Sequence, residues 1–297
     1  MWSYDSLLGK ARVYFIRGRE HPQADNEVFA LWLLLGLEFL LRAPLAKVHP
    51  TLLAEPDGPS ILNAAGFPRK PNTRDPKSIP THTVITRLLT VVEDFEERKD
   101  EATFLTGLRN HELHSGDSAL SIDPSLWLPK FTRVTQVLCN HLGLTPDDLL
   151  GDEVVKLGKQ LVDAEDKKIS HEVTKRIAAS LKKFEAIDDD AVTSLRASAR
   201  PGPESQWEHS VNCPACESKA WPALEAVRRT NERFEDGVIY ANVISIAKSL
   251  SCAVCGLSLS GPSEMKSAGL PQQFTHEEED SIEDRYLDTY EPDYGND

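Results

Sequence analysis

Four of the five cysteines stand in two short pairs, Cys213-Pro-Ala-Cys216 and Cys252-Ala-Val-Cys255, separated by 35 residues. Each C-x-x-C pair can turn both thiolates toward one point, and two such pairs supply the complete tetrahedral shell that zinc accepts at about 2.3 Å. A closed shell leaves no position for a reactive water, so the zinc is expected to be structural. In a chain this long the spacing indicates a metal site rather than a disulfide framework, and with it a reducing, cytoplasmic setting. Gly256 after the second pair suits the turn of a metal knuckle, and His209 is a spare ligand that the count does not require. Cys139 stands alone and reads as a small core residue, not a nucleophile.

At roughly 100–200 residues per domain, 297 residues predict about two domains. The balance of 40% hydrophobic and 27% charged residues is that of an ordinary soluble globular protein. Met1 to Glu20 mixes Asp5, Lys10, Arg12, Arg17 and Arg19 into its apolar residues, unlike a secretory signal. The most apolar stretch, Val28 to Leu41, is 14 residues long and interrupted by Glu38, short of the roughly 20 a membrane span requires. It reads as a buried core helix, with no membrane involved.

Apolar residues at helical spacing predict a first helix over Ser3 to Gly18 and a second from after Pro22 to about Val48. Six prolines between residues 55 and 81 predict a long loop there, carrying the basic residues Arg69, Lys70, Arg74 and Lys77. Further helices are expected from Thr81 to Lys99, Glu101 to Leu113 and Ser125 to Leu142. Residues 1–145 therefore read as an all-α bundle. Residues 146–199 remain helical but more charged, an amphipathic extension that packs on the bundle or on a second subunit. Arg200-Pro-Gly-Pro breaks the helix, and Val238 to Ser249 suits a strand. With that strand just before Cys252, residues 200–262 resemble a zinc ribbon. No internal repeat is apparent. The expected fold class is mainly α, with a small C-terminal zinc-ribbon domain.

The formal net charge is −14, but ten acids against Arg285 put −9 of it between His276 and Asp297, leaving −5 for the residues before. A general basic surface for duplex DNA is absent, although a local basic cleft is compatible with this balance. Arg228, Arg229 and Arg233 are the only basic cluster in the ribbon, and Glu225, Glu232, Glu235 and Asp236 surround them. Residues 263–297 are expected to be an acidic, disordered tail. The alternative is a segment that folds back over a basic cleft on the body and blocks it.

The chemical signal is Leu108-Arg109-Asn110-His111-Glu112-Leu113-His114-Ser115-Gly116, at the end of a predicted helix. Arginine supplies a permanent planar cation for phosphate, histidine titrates near neutrality, and an amide can orient either. Residues five apart on an ideal helix are separated by roughly 140° after one full turn, so Arg109 and His114 flank a face and do not stack. The bland reading pairs Arg109 with an acid on the second or third helix and leaves the histidines solvated. Glu38, amid leucines, either holds Arg109 in position or caps a core network, since an unpaired carboxylate there would be costly. No Gly-x-x-x-x-Gly-Lys loop occurs, so ATP hydrolysis is unsupported.

Arg109-Asn110-x-x-x-His114, late in an all-α bundle whose apolar second helix carries Glu38, resembles the HEPN superfamily over residues 1–145. The resemblance implies a metal-independent endoribonuclease, with two motifs facing each other across a homodimer cleft. It implies catalytic roles for Arg109, Asn110 and His114 and a supporting one for Glu38. His111, one turn from His114, either shares its work or is a spare. In such an enzyme an RNA 2′-hydroxyl attacks the adjacent phosphorus and leaves a 2′,3′-cyclic phosphate. A toxin or antiviral defence effector, governed by a protein inhibitor or activator, is the setting the family implies. Ser115-Gly116 follow the motif histidine, so the tyrosine found two residues beyond it in some HEPN toxins is missing. The other expectation is a non-catalytic HEPN scaffold that binds protein or nucleotide through its zinc ribbon and acidic tail.

Overall fold

A computed structural model of the chain describes residues 2–21, 26–68, 71, 74–205 and 209–281. They divide into two compact units, 1–165 and 166–297, described separately below. The first is helical: α1 (Tyr4–Arg19), α2 (Asn26–Val48), α3 (Gly58–Ala64), α4 (Thr81–Val91), α5 (Lys99–His114), α6 (Pro124–Leu142), α7 (Pro146–Leu150) and the start of α8 (Asp152–Glu185). The second holds the rest of α8, α9 (Asp189–Ser198), α10 (Gly261–Ser267) and six strands. These are β1 (Val211–Asn212), β2 (Lys219–Ala220), β3 (Pro222–Glu235), β4 (Val238–Ser251), β5 (Ser258–Ser260) and β6 (Gln273–Ser281). The mainly-α expectation holds, together with an antiparallel sheet.

α2 is the centre of the first unit because it is apolar on nearly every side. Phe29, Leu33, Leu37, Leu40 and Leu41 are all buried, against Phe15 of α1, Leu88 of α4, Leu105 of α5 and Trp127 and Phe131 of α6. Among the described residues α2 alone is long and apolar enough to cross a membrane, and 67% of its most apolar window is buried inside the fold. Burying each such side chain fully stabilises by about 1.5–3 kcal/mol. α1 and α2 approach so closely at Gly36 that an added Cβ would fall on the Phe15 ring. Leu149 and Leu150 of α7 and Val154 and Val155 of α8 complete this core.

Two expected elements differ. The helix predicted over Thr81 to Lys99 stops at Val91, where Val92 turns extended (φ −110°, ψ 118°), and Asp94 then takes a left-handed φ of 62°. Val92 and Phe95 are buried on either side of that break, and a 3-10 turn over Glu96–Arg98 leads into α5. The loop expected over 55–81 contains α3, capped by Asp57, whose carboxylate accepts from the Ser60 amide and hydroxyl, both at 2.8 Å. These bonds hold Asp57 below the usual carboxylate range. The loop closes on itself where Ile79 N–H donates to the Leu53 carbonyl at 2.9 Å and Ala54 bridges Ser78. That closure delivers Ile79 and Thr81 to the side of α2. Arg69 and Lys70 lie outside the described residues.

In the second unit β3 and β4 form a long antiparallel hairpin, and β5 and β6 pair with the other edge of β4. The hairpin turns at Asp236-Gly237, both at positive φ (51° and 86°), as the tight two-residue turn between twisted strands requires. β3 was not expected from the sequence. The tail expected to be disordered from residue 263 is instead helix and strand as far as Ser281, where α10 and β6 form. β6 pairs with β4 from Gln273↔Ile246 to Ser281↔Val238. Arginines of β3 reach across to its acids: Arg229 to Asp280 at 2.6 Å and Glu278 at 3.0 Å, and Arg233 to Glu277 at 2.7 Å. Residues 282–297 lie outside the described ones.

The close approach at Gly36 sets a stability test. Gly36→Ala is expected to cost about 1–3 kcal/mol through overpacking against Phe15, read as a lower midpoint in urea unfolding with an unchanged slope.

Candidate functional site

Cys213, Cys216, Cys252 and Cys255 are buried, and their Sγ atoms all lie within 4.8 Å of one another. Cys213 and Cys255 sulfurs are 3.5 Å apart and Cys216 and Cys252 sulfurs 3.6 Å. A tetrahedron with metal–sulfur bonds of about 2.3 Å has edges of about 3.8 Å, so the four sulfurs suit a zinc-sized ion in a closed shell. His209 is not part of the four-sulfur cluster.

The two knuckles are built alike. Cys213 N–H donates to the Ser218 carbonyl and Cys252 N–H to the Leu257 carbonyl, each at 2.9 Å. Glu217 and Gly256, at φ 57° and 72°, donate back to the carbonyls of Cys213 and Cys252. The flanking strand pairs also correspond, with Val211 opposite Ala220 in one and Leu250 opposite Leu259 in the other. A short structural repeat at an offset of 39 residues is therefore present, where the sequence had shown none. Its signal was C-x-x-C followed by one residue able to turn left-handed. Arg196 of α9 braces the first knuckle through Ser218 Oγ at 2.9 Å, and Arg176 of α8 donates to the Ser258 carbonyl beside the second at 3.0 Å.

Without an ion these thiols compete for protons. Burial pushes Cys255 up to about 12. A hydrogen bond between Cys213 and Cys252 drives Cys213 upward and brings Cys252 down to about 5. Cys139 is a different case, a core thiol that burial raises to about 12, which suits its expected inert role.

In the first unit, Glu38 is the hub of a polar cluster set into the apolar surface of α2. One carboxylate oxygen accepts from Arg42 and from the Thr81 hydroxyl at 2.6 Å, and the other accepts from Arg109. The side chains of Arg42, Glu38 and Arg109 are only 11%, 12% and 14% exposed. Both readings of Glu38 meet here: it pairs with Arg109 and also gathers Arg42 and Thr81 into one hydrogen-bond network. Arg42 and Thr81 were not foreseen. Arg42 lies four residues after Glu38, a spacing that puts both on one helix face and could have shown it. Arg42 also donates to the Glu38 carbonyl at 3.0 Å and to Thr81 Oγ1 at 3.2 Å, so the same three residues hold the carboxylate that Arg109 meets. Arg109 Nε is buried with no hydrogen-bond partner among the described residues.

The remaining motif residues face solvent. Asn110, His111 and His114 are exposed on the last turn of α5. His114 has no hydrogen-bond or ion-pair partner among the described residues. His111 meets Asp117, Nε2 to Oδ2 at 3.1 Å. The loop that carries Asp117 is tied down: Glu112 accepts from the Leu120 amide at 3.0 Å, and Asn26 donates to the carbonyls of Leu120 and Ile122 at 2.9 and 2.8 Å. Arg109 thus faces inward to Glu38 while His114 faces out, the divergence that the 140° separation predicts.

No protein-family model matches the sequence, and no curated protein or solved structure matches it either.

Three measurements bear on these sites. Glu38→Gln strands two shielded guanidinium groups and is expected to cost about 3–5 kcal/mol in chemical unfolding, whereas Glu38→Asp retains part of the stability. Metal uptake must displace protons from Cys213 and Cys255, so affinity rises with pH. Metal content after dialysis is expected to fall from neutral to acidic pH, and Cys252→Ser to lose the ion together with exchange protection at Val254, Leu257 and Leu259.

Proposed function

We propose that the protein is a metal-independent HEPN-type endoribonuclease whose second unit is a zinc ribbon with structural zinc bound by Cys213, Cys216, Cys252 and Cys255. This reading rests on the Arg109-Asn110-x-x-x-His114 motif at the end of α5 in a helical bundle, together with the Arg109–Glu38 ion pair, which a purely structural arginine would share. The pair holds the motif arginine with an acid from the apolar second helix, while the motif histidine five residues later is left accessible. Among the described residues no hydrogen bond or ion pair engages the His114 side chain, which stands exposed at the end of α5.

His114 moves a proton and Asn110 orients substrate at the exposed helix end, while Arg109, mostly shielded and engaged by Glu38, contributes positive charge through the part of its guanidinium that Glu38 leaves free. The nucleophile is the RNA's own 2′-hydroxyl, so DNA binds without being cut. Because Arg109 and His114 diverge on one helix, a cleft lined by both requires a second copy of the chain, and the enzyme works as a homodimer. Zinc takes no part in the chemistry, since four thiolates fill its shell. The acidic strand β6 already engages Arg229 and Arg233, so RNA contact is assigned to the helical unit rather than to the sheet. A cytoplasmic toxin or antiviral effector, restrained by a protein inhibitor, fits an RNase of this type.

Purified protein incubated with a mixed RNA pool and chelator is expected to produce fragments ending in 2′,3′-cyclic phosphate. His114→Ala and Arg109→Ala are each expected to lower the rate by about 100-fold or more. Equal inertness of all three proteins would instead favour a scaffold that binds protein or nucleotide.

A further inference from the structure

Cleavage of RNA by its own 2′-hydroxyl requires two proton transfers, one from the attacking oxygen and one to the departing 5′-oxygen. The motif histidine accounts for one of them. We propose that His111, held by Asp117, is the second proton-transfer residue, the general acid that protonates the leaving 5′-oxygen while His114 accepts the 2′-proton. The proposal rests on the ribonuclease reading of the same site.

Three observations carry it. His111 and His114 are three residues apart on α5, so their Cβ atoms stand about 5–6 Å apart on neighbouring turns. That spacing lets two imidazoles bracket one phosphorus, with the attacking and leaving oxygens on opposite sides of it. Next, Asp117 engages Nε2 of His111, which leaves Nδ1 for the substrate. In the imidazolium both nitrogens are donors, so one N–H can bind Asp117 while the other faces the leaving oxygen. Lastly, Asp117 is positioned by more than its own contact. Its amide donates to Ser115 Oγ at 3.2 Å, and the loop behind it is fastened to α5 through Glu112 and to α2 through Asn26. Among the described residues no carboxylate pairs with His114, and this difference divides the two roles.

The step balances without an outside reagent. The 2′-oxygen lone pair forms a bond to phosphorus, and its proton passes to His114. The bond from phosphorus to the 5′-oxygen breaks, its electron pair stays on that oxygen, and the Nδ1 proton of His111 joins it. The products are a 2′,3′-cyclic phosphate and a 5′-hydroxyl, and exchange with water returns both imidazoles to their starting states.

A change of leaving group separates acid from base. The full chain, His111→Gln, Asp117→Asn and His114→Ala are assayed on a uridylyl-adenosine dinucleotide and on uridine 3′-(4-nitrophenyl phosphate), whose phenolate departs without a proton. His111→Gln is expected to lose about 100-fold on the dinucleotide and less than about tenfold on the aryl ester. Asp117→Asn is expected to follow the same pattern with a smaller loss, and His114→Ala to lose activity on both substrates. If the parent cleaves both substrates and His111→Gln is unchanged, or drops equally on both, the assignment of His111 is overturned and the ribonuclease reading stands. If the parent cleaves neither, both are overturned. His111 is 56% exposed, so its replacement leaves the core intact, and an unchanged unfolding midpoint confirms that each loss is chemical.

Discussion

One carboxylate shared by two guanidinium groups organises the helical unit. Glu38 sits where leucine would be expected, in the middle of the most apolar helix, and a charge there persists only with partners close by. Arg42 comes from the next turn of α2, Thr81 from the start of α4 and Arg109 from α5. Three helices are therefore fixed against one another by a group that also decides where the motif arginine points. The closed loop before α4 matters for the same reason, because the Ile79 to Leu53 hydrogen bond sets Thr81 beside Glu38.

The second unit solves a different problem. Its buried cluster is small, with Val254, Leu257, Leu259, Leu250 and Met265 gathered around the four sulfurs and Val173 of α8 against them. Small cores of this size rarely hold without a staple. Two near-identical knuckles each supply two of the four cysteines positioned to hold a metal ion, so a complete four-thiolate shell needs both. Arg176 and Arg196 tie the helices to the strands next to those knuckles.

The helices were readable because their apolar residues recur at helical spacing, as at Leu7, Leu8, Ala11 and Phe15 of α1 or Trp127, Phe131, Val134 and Leu138 of α6. The clustering of the four cysteines was readable from spacing alone. β3 was not, since Leu224-Glu225-Ala226-Val227-Arg228-Arg229 has the composition of a helix and its alternation is broken by register shifts after Ala223, Ala226 and Thr230. The Asp236-Gly237 turn was the signal that would have exposed it. β6 was hidden for a related reason. Consecutive acids read as a solvated tail, and only the cross-strand arginines, 44 to 51 residues earlier, make a strand of them. At the motif, sequence named Arg109, Glu38 and the histidines, but Arg42, Thr81 and Asp117 needed three dimensions.

The ladder of carboxylates on β6 has a consequence for solubility. Among the described residues β6 pairs only with β4, so its outer edge presents open backbone donors and acceptors. Such a rim is a template on which strands of other molecules can polymerise. Here an approaching copy of the same strand would bring its acids, Glu279 among them, against those already present, and that repulsion opposes growth of the sheet.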